Sequence, residues 1–388
     1  MADEFSLMLG GPLYQLYLRT RMARPPLQLL ARRMVVIPAL AWLPLLVLSA
    51  LEGTAWTDRI RVPFAYDLEV HARYLIALPL LIAAELVVHQ RMVPIVTRFV
   101  SRGIVPPSAL PRFDAFVASA LRLRNSVGLE VLLIVAVYTL GHYAWLQAAT
   151  MPTSTWWATA AAPEVRLSWA GWWYAYISIP IHQFILLRWY FRLFIWFRFL
   201  GQVSRLDLRI VPTHPDRSGG LGFLGESVYA FGLVLFAQGT LLAGALANRI
   251  FHTSTTLLDY KKEIAAVVVV LVLLFLAPML QFSSRLVAAK RAGLYRYGDL
   301  ASRYVNTFDT KWIQGEAPAG ESLVGSADIQ SLADLANSFE VVRTMRPVPF
   351  WIDTVAWLLI VTALPVAPLI LTVVPLEDLI RQILAVLL

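Results

Sequence analysis

Seven long apolar stretches, separated by connections that alternate between arginine-rich and arginine-poor, constrain this chain more than any other feature. They cover residues 34–51, 74–95, 127–149, 172–194, 227–247, 264–282 and 351–374. Crossing a hydrocarbon core of about 30 Å takes about 20 helical residues, and water-soluble cores need no such runs. In lipid every backbone donor and acceptor must be paired within its own segment, which stretches of this length and composition satisfy only as helices. The expected fold class is therefore all-α, a polytopic transmembrane helix bundle of about seven spans. Composition agrees: 15% of residues are charged, against about 25% in an average soluble domain.

Orientation follows from the basic residues of the connections. The N-terminus and the second, fourth and sixth connections hold roughly 22 Lys and Arg, against roughly 8 in the others, so the positive-inside rule places the N-terminus in the cytoplasm. An odd number of spans puts the C-terminus outside, unless Pro365, Pro368 and Pro375 make the last segment re-entrant. Trp56, Trp145, Trp156, Trp157, Trp169, Trp172 and Trp173 fall at the expected outer ends, where indoles favour the headgroup level. The expected localisation is a bacterial inner membrane, multi-pass, with no removable signal peptide because no short apolar core precedes a small-residue cleavage site.

Four segments follow. Residues 1–33, with Arg19, Arg21, Arg24, Arg32 and Arg33 among leucines and aromatics, suit an interfacial amphipathic segment on the anionic leaflet. Residues 34–284 form the six-span bundle, and 351–388 the last span and an apolar tail. Residues 285–350 read as a small cytoplasmic helical hairpin. Its first helix carries Leu286, Tyr297, Leu300, Tyr304, Phe308 and Trp312; its second starts at the N-cap Ser326 and aligns Ile329, Leu332, Leu335, Phe339 and Val342. Such a short insertion builds no large core of its own, so its apolar faces pack on the membrane domain, on each other or on a second copy in a homo-oligomer.

The net charge of +8 is scattered along the connections beside apolar spans, which points to the lipid bilayer and anionic lipid headgroups as partners and not to nucleic acid. Zero cysteines exclude disulfides, thiolate metal sites and a catalytic thiol. Phosphate-loop, HExxH and GxSxG patterns are absent, and no cofactor or metal is expected.

Charges inside a bilayer cost roughly 2.5–3.5 kcal/mol each on insertion scales, so those within spans are functional candidates. They are Glu85, His89, Glu130, His182, Arg188 and Arg192, with Glu226 and Asp353 at span ends, all between mid-membrane and the inner edge. Such a distribution suits a polar vestibule open to the cytoplasm. Glu85 and His89 are i,i+4 and share a helical face, where they could relay a proton, hold a cation or simply bond to each other. Two ligands are too few for a metal site. Arg188 and Arg192, also i,i+4, sit among Trp189, Tyr190 and Phe191; facing inward they favour an anion, and facing outward they snorkel to lipid phosphate.

The string THPDRSGGLGFLG, residues 213–225, joins the fourth and fifth spans. His214, Asp216, Arg217, Gly219 and Gly220 could bring backbone N–H groups and charge to an anion. The same residues equally suit a tight turn with positive φ at Gly219 or Gly220, tied by Asp216 to Arg217 or His214. HPDR followed by glycine resembles the loop of J-domain co-chaperones, but that family sets it between soluble helices and here membrane helices flank it. The loop, and DIQSLADL at 328–335, is similar to segments of uncharacterised bacterial polytopic inner-membrane proteins, a resemblance that implies no activity. Three function classes fit: a channel or transporter for a small solute, an anion before a cation; a scaffold, assembly factor or sensor docking through 285–350; and a membrane-embedded enzyme on lipid or phosphorylated substrate with His214, Asp216 and Arg217 as its polar groups.

Overall fold

The computed structural model describes residues 5–25, 27–149, 155–161, 164–253, 255–318 and 320–373. Among these, the fold is a helix bundle: α1 (Pro12–Arg19), α2 (Leu30–Leu51), α3 (Leu68–Ser101), α4 (Leu110–Arg124), α5 (127–149), α6 (169–203), α7 (Gly225–Ala230), α8 (Gly232–His252), α9 (Leu257–Leu280), α10 (Ser283–Phe308), α11 (Ala327–Arg343) and α12 (Ile352–Thr372). A two-stranded antiparallel ribbon, β1 (Ala158–Ala161) with β2 (Glu164–Leu167), precedes α6.

Among the described residues six helices are long and apolar enough to cross a membrane, where seven spans are expected: α2, α3, α5, α8, α9 and α12. The fourth expected span lies in α6, whose length suffices but whose apolar surface is aromatic and interrupted by His182, Arg188, Arg192 and Arg198. The C-terminal apolar tail read from sequence lies beyond residue 373, outside the described residues.

Proline inside these helices removes an N–H and frees the carbonyl four residues earlier, and side chains of neighbouring helices take up the freed groups. Pro44 releases Leu40, whose carbonyl accepts the Trp173 indole N–H at 3.3 Å. Pro180 releases Tyr176, whose carbonyl accepts the Tyr138 hydroxyl at 3.0 Å. Helix α8 is central. Its Gly239 lies so close to α12 that an added Cβ would meet the Thr362 carbonyl oxygen at 2.0 Å, and Gly232 likewise receives the Trp357 ring. Small residues let helix backbones approach in this way where lipid supplies no hydrophobic drive between helices.

The bundle has two chemically different ends. At the tryptophan-rich end, Trp56, Trp169 and Trp172 are exposed, as headgroup anchors would be. Trp156 departs from the expected belt: it is fully buried and its indole donates to Asp67 at 2.8 Å. At the arginine-rich end, residues 5–33 do not form one surface helix. Phe5, Leu7 and Met8 are buried, with the Phe5 ring 5.0 Å from that of Phe199, and only α1 is helical before α2 begins. Three large apolar side chains within four residues bury more favourably in an aromatic core than at an interface.

The hairpin is α10, extended by a π-helical turn at Asp309–Ile313, against α11. Trp312 and Lys311 both reach the Asp328 carboxylate at 2.9 Å. Val342 and Met345 are buried where the hairpin meets the bundle, whereas Ile329 and Leu300 stay exposed. Ser326 occupies the expected N-cap, but its hydroxyl makes no capping bond.

Candidate functional site

Four of the sequence candidates converge. Glu85 on α3 and Glu130 in the first turn of α5 meet Arg188 and Arg192 of α6, joined by Arg33 from the first turn of α2. Arg33 Nη1 donates to Glu85 Oε2 at 2.6 Å, and Arg192 Nη2 donates to Glu85 Oε1 at 2.9 Å. Arg188 lies between the two carboxylates, its Nε 3.3 Å from Glu130 and its Nη1 3.9 Å from Glu85. Glu130 also accepts the Leu13 backbone N–H at 3.1 Å, an orphan donor at the start of α1 where a carboxylate is favoured. Aromatic faces complete the shell: Tyr17 under Arg33 at 5.2 Å and Trp189 under Arg192 at 4.9 Å.

Three guanidiniums face two carboxylates, so the cluster keeps one positive charge in surplus. Arg33 is fully buried, and its Nε and Nη2 make no hydrogen bond, an arrangement low-dielectric surroundings make costly. A cavity of about 20 Å³ opens between Arg188, Arg192, Glu130, Ser126 and Arg124. A larger groove of about 750 Å³ runs past Gly10, Gly11, Tyr14, Arg19 and Asn125, and Arg124 lines both spaces. Arg124 is latched to the N-terminal segment through the Ser6 carbonyl, and burial pushes its guanidinium down to about 10.

The expected Glu85–His89 partnership is divided: Glu85 serves the arginines, while His89 Nδ1 pairs with Ser6 Oγ at 2.9 Å. His182 stands apart from the cluster, nearer the tryptophan-rich end, against Tyr74. Glu226 pairs with Arg98 at the surface. Sequence reasoning placed Arg33 on the membrane surface and did not single out Arg124 or Ser6. The doublet Arg32-Arg33 carried the available signal, because consecutive helical residues point about 100° apart: Arg32 turns back to the Arg21 carbonyl and Arg33 turns inward. No group of three or more His, Cys, Asp or Glu able to hold a metal occurs among the described residues.

The HPDR loop is built differently. Asp216 accepts N–H bonds from Ser218, Gly220 and Gly222 at 2.8, 3.1 and 2.8 Å, so the N–H groups that sequence offered to an anion surround the loop's own carboxylate. Burial raises this carboxyl, but the three donors outweigh it and hold it below its ordinary value. His214 Nδ1 sits 2.9 Å from Asp216 Oδ1, and Arg217, Gly219 and Gly220 all have positive φ. Arg346 donates to the Arg217 and Asp216 carbonyls at 2.7 and 2.6 Å and stacks on Trp351, so the loop ties the hairpin's exit to α12.

Comparison of the chain with protein-family models, with curated proteins and with solved structures found no match. Fold and site together define an integral, multi-pass membrane protein with a buried ion cluster of net positive charge at its arginine-rich end.

Proposed function

We propose that this protein is a carrier for a small anion, with α6 as a seventh span, the N-terminus in the cytoplasm and the arginine cluster as its inner binding site. The observation that carries this reading is a cluster of three guanidiniums against two carboxylates, beside a cavity lined by Arg124, Arg188 and Arg192. Glu85 and Glu130 act as resident anions that keep the arginines compensated in lipid. An incoming anion enters by the groove, displaces the Arg124–Ser6 latch and takes the place of Glu130 on Arg188, which is the least tightly held guanidinium of the cluster. A carrier fits better than an open channel, because residues 5–19 close the groove's inner wall and every guanidinium already has a partner. The test is uptake of chloride and of inorganic phosphate by proteoliposomes. Arg188→Gln is expected to lower uptake at least about tenfold, a loss of about 1.4 kcal/mol in site affinity, measured on protein that still reconstitutes as a monodisperse species. Unchanged uptake in both Arg188→Gln and Arg192→Gln rejects the assignment.

A second reading, docking of a partner through the hairpin, is favoured by Tyr295, Ile313 and Val324, exposed at 76%, 71% and 86%. Ile313→Glu with Val324→Glu tests it without touching the buried Val342 and Met345, and a partner retained by that variant argues against it. The third reading, an enzyme on lipid or phosphorylated substrate, draws less support, since Asp216 accepts three N–H bonds from its own loop and pairs with His214.

A further inference from the structure

Two levels of the contact between helices α3 and α6 matter here. The inner bridge is the Glu85–Arg192 ion pair. The second level sets Tyr74 against His182, which precede Glu85 and Arg192 by 11 and 10 residues and so lie roughly 15 Å nearer the tryptophan-rich end at 1.5 Å per residue. Between the two levels Trp189 is buried and its indole donates to the Leu81 carbonyl at 3.1 Å.

The Tyr74–His182 contact differs from every other polar contact between these helices in being incomplete. The rings meet edge to face with centroids 6.4 Å apart, both residues are buried, and neither Tyr74 Oη nor His182 Nε2 has a hydrogen-bond partner. Two unpaired polar atoms on touching rings are a costly pair to keep in a membrane core unless something binds there. Backbone geometry marks the same level independently. Both helices carry a π-helical turn, at Ala72–Ala77 and Tyr174–Ser178, and α5 adds a third at Val137–Gly141, whose Gly141 carbonyl accepts from Gln183 beside His182. Single π-turns within α-helices occur frequently at functional sites.

Further titratable groups lie around the pair. Glu69 pairs with Arg73; Arg73 Nη1 donates to Tyr174 Oη at 2.6 Å; and the Tyr174 ring meets that of Tyr74 at 6.4 Å. The titratable groups around His182 are thus Arg73, Tyr74 and Tyr174, with Glu69 and Asp67 behind them, His142 on α5 against Tyr176, and Glu85 and Arg192 at the inner bridge. Arg73 is the nearest full charge and opposes a second cation beside it. An anion arriving at the inner bridge removes part of that opposition through the low-dielectric interface.

Resting on the carrier reading above, we infer that Tyr74 and His182 form a proton-binding site and that His182 takes up a proton as the anion binds. The step is a simple transfer: a proton from solvent at the tryptophan-rich end passes along the tyrosine hydroxyls to His182 Nε2, and leaves when the anion leaves. No bond other than O–H and N–H changes.

The experiment uses the full chain in proteoliposomes with a trapped pH-sensitive dye and an inward gradient of chloride or phosphate. The wild type is expected to acidify the lumen as anion enters. His182→Gln should lose at least about tenfold of the proton movement while retaining anion binding, and Tyr74→Phe should lose several-fold. Proton movement unchanged in His182→Gln overturns the proposal, as does anion uptake by the wild type with no proton movement. A separate arm follows the imidazole nitrogens by NMR in detergent, with His182 assigned by its loss in His182→Gln. A shift of His182 toward the protonated form on adding phosphate at fixed pH, absent in Tyr74→Phe, supports the site; no shift overturns it. If the wild type carries no anion but His182 titrates in a Tyr74-dependent way, the carrier reading fails and the proton site stands.

Discussion

Glu85 and Asp216 are both carboxylates at the arginine-rich end, and both are held by three donors or cations, yet they teach opposite lessons. Glu85 is compensated by side chains from two other helices, Arg33, Arg188 and Arg192, so it couples α2, α3 and α6, and its partners keep charge to spare. Asp216 is compensated by the backbone of its own loop, at Ser218, Gly220 and Gly222, and exhausts what it binds. A site that can take a ligand needs unspent donors. By that criterion the cluster is a candidate binding site and the HPDR loop is a staple.

The comparison breaks first at Glu85. Glu85→Gln leaves three buried guanidiniums facing one another with only Glu130 to offset them, and removing one partner of a buried ion pair costs roughly 3–5 kcal/mol. The expected outcome is a large fall in melting temperature in detergent, or loss of monodisperse protein. Glu85→Gln with Arg33→Met, which removes the charge having two unpaired nitrogens, should recover much of the loss. Absence of any recovery would show that the guanidiniums do not destabilise one another.

Asp216→Ala comes next. It strips three backbone N–H groups of their acceptor, at about 1–3 kcal/mol for a buried group left unsatisfied. Because the folded carboxyl lies below its ordinary value of 3.8, its contribution is complete above that value and is lost as pH falls through the lowered one. Wild type and Asp216→Ala should therefore differ in stability at neutral pH and converge in strong acid. A difference that persists at the acid end would assign the effect to something other than the carboxylate.

Much of this contrast was legible beforehand. Long apolar runs made the helices unavoidable, and the cost of intramembrane charge singled out Glu85, Glu130, Arg188 and Arg192, which do meet. Helical periodicity relates residues on one element only, so it paired Glu85 with His89 and could not see Arg33, more than fifty residues away, as the closer partner. It likewise had no means of foretelling that Phe5, Leu7 and Met8 enter the core, because a short apolar segment with arginines looks the same whether it lies on a leaflet or plugs a bundle. The expected span in α6 does not stand out for a related reason: the residues that pack the cluster there are aromatic and cationic, and they dilute the apolarity that marks a crossing helix.

Gly219 sharpens the loop's side of the comparison. Its φ of 64° and the 2.2 Å that would separate an added Cβ from Ile210 Cγ2 make Gly219→Ala costly, by about 1–2 kcal/mol for the left-handed backbone alone. If the loop is a staple, this variant loses stability in detergent without changing anion uptake once it is folded in proteoliposomes. Uptake that falls while stability holds would move function back to the loop.

The smallest effect is expected at the hairpin, and there its absence is the informative result. Lys311 bridges Glu321 and Asp328, raising the Lys311 ammonium and lowering the Asp328 carboxyl through their shared hydrogen bonds. All three groups are solvent-accessible, water already solvates the separated ions, and salt screens what attraction remains. Lys311→Met should therefore leave the melting temperature unchanged within error at physiological salt, in contrast to Arg33→Met, which removes the shortest of Glu85's ion pairs in the core. Trp312 keeps its own bond to Asp328, so the end of α10 retains an anchor on α11. A clear drop for Lys311→Met would mean that this junction is shielded from water, and the only shield available on this face is a bound partner or a second copy, which would turn the docking reading of the hairpin into the stronger one.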